Sequence, residues 1–179
     1  EEVRTGTNPF AITHAYDATS NRTQTVKDGI ATTFTYDVND RLLSDGTATY
    51  TYDANGNLTT QTAGAVVAQY GYDSENRLTS FADATGTTQF TYDADGNRVR
   101  STSSGGTTQF LVDTENNTGL SQILEEKDGT GTLQARYTYG TERLAMVRGG
   151  VAGFYHHDVH GSVRLLTDNT GAVTDIYQY

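Results

Sequence analysis

The sequence predicts an all-β fold built as a string of antiparallel hairpins, and three observations carry that expectation. The dipeptide Tyr-Asp recurs at Tyr16-Asp17, Tyr36-Asp37, Tyr52-Asp53, Tyr72-Asp73 and Tyr92-Asp93, with gaps of 20, 16, 20 and 20 residues. A ring usually stands two places earlier, at Phe34, Tyr50, Tyr70 and Phe90, with His14 in that slot of the first copy. Residues two apart on a strand point to the same face, so each pair of rings shares a side of the sheet. The composition agrees: 32 Thr and 12 Tyr favour strands, while 19 Gly and only one Pro supply turns without breaking the ladder. A fixed punctuation returning at a near-constant interval marks a repeat architecture.

Taken in order, each copy reads as a strand, a turn and a returning strand. His14-Ala15-Tyr16 opens the first, and Asp28-Gly29 turns the chain toward Phe34-Thr35-Tyr36. Asp45-Gly46 turns it again toward Tyr50-Thr51-Tyr52, whose turn is Asn55-Gly56-Asn57 before Leu58. The next two copies turn at Glu75-Asn76-Arg77 and Asp95-Gly96-Asn97, with Thr85-Gly86 between them. After Arg98-Val99-Arg100-Ser101-Thr102 the chain turns at Gly105-Gly106. Asp, Asn and Gly suit these sites because Asp bonds its own backbone and Gly or Asn tolerates positive φ. The Asp after each Tyr is thus expected to accept N–H groups of its turn. From 111 to 133 the Tyr-Asp signal is lost, and Gly119 to Lys127 admits a short helix or strands.

A single hairpin is marginal in water, so the copies must pair side by side. Tyr52 and Tyr72 are expected on the same face as Tyr50 and Tyr70, with their rings largely buried. Each cross-strand aromatic pair is worth roughly 0.2–1 kcal/mol over an alanine pair.

Composition also bounds the function. A net charge of −10 opposes nucleic acid or anionic membrane as partners, because both are polyanions. There is no cysteine, hence no disulfide framework and no thiol chemistry. No run approaches the ~18–20 apolar residues of a membrane span. The start carries no signal peptide, which fits a mature fragment better than cytosolic release or non-classical export. His156, Asp158 and His160 are the one concentration of metal-type ligands, and on a strand they would share a face suited to zinc or nickel. A hydrogen-bonded structural role is the simpler expectation for them, so no metal and no cofactor is assigned. Asp93 to Asn97 lacks the distal Glu of a calcium loop. Ser162 lacks the Gly-x-Ser-x-Gly elbow, and no phosphate-binding glycine loop is present. No catalytic residue is assigned, and an enzyme is not expected. Asn21, Asn57 and Asn116 match the glycosylation pattern, the first two because the repeat wants Asn in its turn.

The pattern aromatic-x-Tyr-Asp-x-x-(Gly/Asn)-(Asn/Arg)-(Leu/Val) resembles the YD repeat of the Rhs family, shared with teneurins and the shell subunits of bacterial toxin complexes. Tyr137-Thr138-Tyr139-Gly140-Thr141-Glu142-Arg143-Leu144 resembles the variant near the end of Rhs shells. Tyr155 to Asp168, with Gly171-Ala172-Val173 after it, resembles the Rhs-associated core segment. The resemblance implies a spiralling strip of β-shell, with 1–110 as YD-repeat hairpins and 111–179 as a core-like β segment continuous with the same sheet. It also implies strands on either side of Asp128-Gly129.

In Rhs toxins such a shell holds a C-terminal toxin, and in teneurins it is part of an extracellular adhesion receptor. The implied function is therefore structural: the wall of a toxin-encapsulating shell or an extracellular scaffold, secreted or at the cell surface. Its partners would be other YD-repeat segments, copies of itself through edge strands, and a toxin cargo. Such shells use many more repeats, so the chain is expected to be a piece of a longer polypeptide or a subunit completed by neighbours. The Asp-Pro motif with which many Rhs proteins cleave themselves does not occur here. Two alternatives stand beside this reading. A strip with open edges can pair end to end into an extracellular filament, with Tyr177-Gln178-Tyr179 as one of the pairing strands. Exposed Tyr and Asn also suit a carbohydrate- or receptor-binding module.

Overall fold

The computed structural model describes residues 2–4 and 10–178, and the side chains of 12–178. The chain divides into two compact units, Glu1–Thr87 and Thr88–Tyr179. Every regular element among the described residues is a strand. In the first unit β1 (Glu2–Arg4), β2 (Phe10–Tyr16), β3 (Arg22–Lys27) and β4 (Ile30–Thr33) form a four-stranded antiparallel sheet in chain order. There follow β5 (Thr35–Tyr36), β6 (Leu42–Ser44), β7 (Thr49–Tyr52), β8 (Leu58–Ala63), β9 (Val66–Tyr72) and β10 (Leu78–Asp83). The later strands are β11 (Gly86–Tyr92), β12 (Arg98–Ser103), β13 (Gly106–Asp113), β14 (Gln122–Asp128) and β15 (Leu133–Tyr139). They end with β16 (Arg143–Arg148), β17 (Val151–His157), β18 (Val163–Thr167) and β19 (Val173–Ile176). β5 to β19 make one fifteen-stranded sheet in which each strand lies beside its sequence neighbours. This is the meander that the repeat spacing predicts, and the segment around Asp128-Gly129 is strand on both sides, not helix.

Within the first unit the sheets change over at Phe34. Its N–H still donates to the Thr23 carbonyl at 2.9 Å, so the ladder continues where the strands are interrupted.

The hairpins share a feature that no residue type announces. Tyr52 pairs with Leu58 but Thr51 pairs with Thr60, so Thr59 is an extra residue on the returning strand. The same slip leaves out Thr23, Leu43, Thr79, Val99, Leu144 and Arg164 in other hairpins. Such bulges increase local twist and curl a strip that would otherwise lie flat.

Register fixes the faces. Tyr50 pairs with Gln61 and Gln61 with Ala68, which places Tyr70, two residues on, on the same side as Tyr50 and Tyr52. The expected common face is therefore present. The burial of these rings is partial and not complete. Tyr50, Tyr52, Tyr70 and Tyr72 are half-buried, and the only buried apolar residues among those described are Ala48, Ala135, Tyr137 and Leu166. One direct ring pair occurs in this stretch, Tyr70 and Phe81, with centroids 5.3 Å apart. Arg98 lies near both Phe90 and Phe110, at 5.2 and 5.8 Å from their ring centres.

Candidate functional site

Among the described residues the recurring constellation is the Asp turn. At Asp53, Oδ1 accepts the N–H of Asn55 at 2.9 Å and of Asn57 at 2.8 Å, and Oδ2 accepts Asn57 Nδ2 at 3.0 Å. The backbone closes around it: the Asp53 N–H donates to the Asn57 carbonyl, and the Gly56 N–H to the Asp53 carbonyl. Asp17, Asp37, Asp73 and Asp93 each accept the N–H groups two and four residues on in the same way. The third residue after the Asp takes positive φ each time, at Ser20, Asp40, Gly56, Asn76 and Gly96. That is why Gly or Asn recurs there.

These bonds favour the ionised carboxyl. The Asn57 amide, then the turn N–H groups, hold Asp53 below the usual carboxylate range, and Asn97 does the same for Asp93. At Asp73 and Asp37 the backbone N–H of Arg77 and Arg41 is the main cause, with the guanidinium adding to it.

Sequence reasoning expected a turn at Asp128-Gly129 but did not see the Asp turn there or at two further places, because these copies lack the Tyr. Asp128, Asp158 and Asp168 accept the same pair of N–H groups, with Gly131, Gly161 and Gly171 at positive φ. The signal that would have found them is Asp-x-x-Gly alone. Asp45 is a tighter variant: Oδ1 accepts the N–H groups of Thr47 and Ala48, and Oδ2 the Tyr50 hydroxyl at 2.7 Å. Its carboxyl is driven far below the ordinary range, chiefly by the Ala48 N–H.

Neighbouring turns are stapled to each other. Asn55 and Asn57 both donate to Asn76 Oδ1, at 3.0 and 2.8 Å, and Thr19 and Asn21 both donate to Asp40 Oδ1. The residue forced into positive φ is thus also the acceptor for the turn before it. The tyrosines make a second set of links. The hydroxyls of Tyr36, Tyr52 and Tyr139 donate to the carbonyls of Arg22, Leu42 and Ile123, at 3.0, 2.8 and 2.9 Å. Each ring therefore reaches back to the head of the preceding return strand. Arg22 lies over Phe34 at 4.7 Å and Arg41 over Tyr52 at 5.0 Å, contacts worth about 0.5–1 kcal/mol each.

The second unit concentrates these links. Arg143 lies 4.7, 5.5 and 5.6 Å from the ring centres of Tyr137, Tyr139 and Tyr155. Tyr137 donates to Glu126 Oε1 at 2.6 Å and accepts from Arg148 at 2.8 Å. Burial, then the Glu126 carboxylate, pushes the Tyr137 hydroxyl above its ordinary pKa.

The histidines do not share the face expected of them. β17 ends at His157, and Asp158 starts a turn in which its Oδ1 accepts the N–H of His160 and of Ser162. His160 therefore stands in the turn and not on the strand. His156 Nε2 pairs with Thr167 Oγ1 at 2.9 Å, and His157 Nδ1 lies 3.5 Å from Glu142. Among the described residues no three His, Cys, Asp or Glu gather closely enough to hold a metal. The amides of Asn21, Asn57 and Asn116, where a glycan would attach, are all engaged as donors within their turns. Tyr177 still donates to the Arg164 carbonyl beyond β19, while Tyr179 of the expected terminal strand lies outside the described residues. No helix among the described residues is long and apolar enough to cross a membrane.

Known structures share this fold. The chain superposes on one chain of the TcdB2–TccC3–Cdc42 crystal structure with a TM-score of 0.62 at 13% identity, over 90% of its own length. A TcdB2–TccC3–TEV crystal structure gives 0.55 at 14% identity over 93%. The chain spans only 12% and 10% of those two solved chains, and at such identities the likeness speaks for the fold. No curated protein sequence matches. The family model described as the teneurin YD-shell matches residues 2–179, and the chain belongs to that family.

Proposed function

We propose that this chain is a wall segment of a Rhs-type shell that encloses a protein guest, and that it works by architecture and not by catalysis. The observation carrying this is the way the hairpins are joined. Asp turns, tyrosine hydroxyls and arginine stacks link neighbouring hairpins along the strip, and few apolar side chains among the described residues are fully buried. A sheet stabilised along its own plane can leave a face free toward an interior. The bulge repeated in hairpin after hairpin supplies the curl that a closed wall requires. A secreted or cell-surface location and a toxin cargo belong to this reading, supported by the family and by the likeness to toxin-complex chains.

Limited proteolysis of the natural polypeptide carrying this segment tests it. A guest inside a wall resists protease until the wall itself is cut, and then disappears together with it. A guest degraded as fast within the intact assembly as after release would overturn the proposal.

A further inference from the structure

We propose that the cleft beside Val112 is a binding site for a phenol ring, at a copy of the repeat that keeps its leading ring and its aspartate and has valine in place of the tyrosine. Phe110-Leu111-Val112-Asp113 has the form aromatic-x-Tyr-Asp with Val in the Tyr position. The structure confirms that register by two independent marks. The returning strand slips by one residue between Leu111 and Val112, as it does between Thr51 and Tyr52. Asp113 Oδ1 accepts the N–H of Glu115, two residues on, the first of the two bonds made by the turn aspartates elsewhere, and a longer loop then leads to Gln122.

An occupied copy shows what belongs there. Arg22 lies over Phe34, and the Tyr36 ring reaches past them to donate its hydroxyl to the Arg22 carbonyl at 3.0 Å. In the vacant copy Arg98 takes the place of Arg22 and Phe110 that of Phe34, with the guanidinium 5.8 Å from the ring centre. Val112 then stands where Tyr36 stands. It ends short of the ring position and brings no hydroxyl to the Arg98 carbonyl.

The missing volume is present as an open cleft of about 360 Å³, lined by Tyr92, Arg98, Val112 and Ile123 among others. A cavity of roughly 150 Å³ suffices to take a benzene ring in a protein interior, so volume is no obstacle. Tyr92, Val112 and Ile123 supply apolar walls, and the Arg98 carbonyl is the acceptor that selects a ring bearing a hydroxyl. The ligand class is therefore a phenol, either a free small molecule or the tyrosine side chain of another polypeptide. The site lies wholly in the second unit and does not depend on the shell reading.

The test is titration of the isotopically labelled chain with p-cresol, followed by amide and methyl NMR. Saturable shifts centred on Tyr92, Val112 and Ile123 are expected, with a dissociation constant in the roughly millimolar range of a very small ligand. Toluene, lacking the hydroxyl, should bind roughly tenfold more weakly, the worth of one hydrogen bond. N-acetyl-tyrosinamide separates the sources: binding equal to p-cresol supports a tyrosine side chain, and exclusion supports a free phenol only. Val112→Tyr fills the cleft from within, so it should abolish p-cresol binding and raise the melting temperature. Val112→Phe fills it without the hydroxyl, and should also block p-cresol. Absence of saturable binding to the unaltered chain overturns the proposal, as does binding that either substitution leaves undiminished. Toluene binding as tightly as p-cresol overturns the role given to the Arg98 carbonyl.

Discussion

Tyr137 is where the links along the strip can be weighed most cleanly, because its ring is buried at 9% exposure and its hydroxyl is doubly bonded. Tyr137→Phe keeps the ring over Arg143 and removes only the bonds to Glu126 and Arg148. A hydrogen bond to a charged partner is worth about 1.5–3 kcal/mol. The Glu126 side chain is 20% exposed and that of Arg148 54%, so water can replace part of the loss. About 1.5 kcal/mol is the expected cost for Phe. Tyr137→Ala also removes the buried ring, for which ring-to-alanine changes cost about 3–5 kcal/mol. It forfeits the Arg143 stack as well, so about 4–5 kcal/mol is expected. A strip of hairpins unfolds with coupling mainly between neighbours, so the loss is best read locally. Native-state hydrogen exchange of the β14, β15 and β16 amides reports the opening free energy of that stretch. Phe within about 0.5 kcal/mol of the parent, the range of ordinary surface changes, would refute the hydroxyl's role. Ala costing less than about 1 kcal/mol would refute the buried ring as a support.

Other consequences follow from the same links. Asp37, Asp53, Asp73, Asp93, Asp128 and Asp168 all lie below the ordinary 3.8, so the unfolded chain takes up protons first as pH falls. Their contribution is complete above that value and lost as pH drops through the lower folded values. The melting temperature should thus be flat near neutrality and fall steeply below about pH 4; a flat profile down to about pH 2 would contradict the Asp turns as supports. Tyr52→Phe deletes one hydroxyl bond to the Leu42 carbonyl and should cost about 1 kcal/mol by urea unfolding, with no change refuting the link. Tyr72 is half-buried, so Tyr72→Ala should cost about 1–2 kcal/mol, short of the loss for a fully buried ring. A strong chelator should leave the melting temperature unchanged, since His156 is bonded to Thr167 and His160 stands in the Asp158 turn. A drop restored by zinc would contradict that.

The hairpins and their turns were legible because turn chemistry is local. Asp53, Gly56 and Asn57 each do their work within five residues, so the pattern states the geometry directly. The turns at Asp158 and Asp168, and the Asp role within the expected turn at Asp128-Gly129, hid because attention to Tyr-Asp passed over Asp-x-x-Gly. The bulge was invisible for a different reason. Its extra residue is Thr59 in one hairpin, Leu43 in another and Arg164 in a third, so its position is set by turn length and not by side-chain type. How completely the rings are buried was not legible, because alternation tells which face a ring takes and not what lies across from it. Tyr52 and Tyr72 share the expected face and are half-buried there. His160 illustrates the same limit: period-two reasoning assumes an unbroken strand, and Asp158 breaks it.

Electron cryomicroscopy of the natural polypeptide that carries this segment measures the wall role most directly. The expected image has these hairpins as consecutive turns of a closed β-wall, with density for a guest inside it. Hairpins forming an open strip or a filament with no enclosed guest would contradict the proposed function, whatever the stability of the individual links.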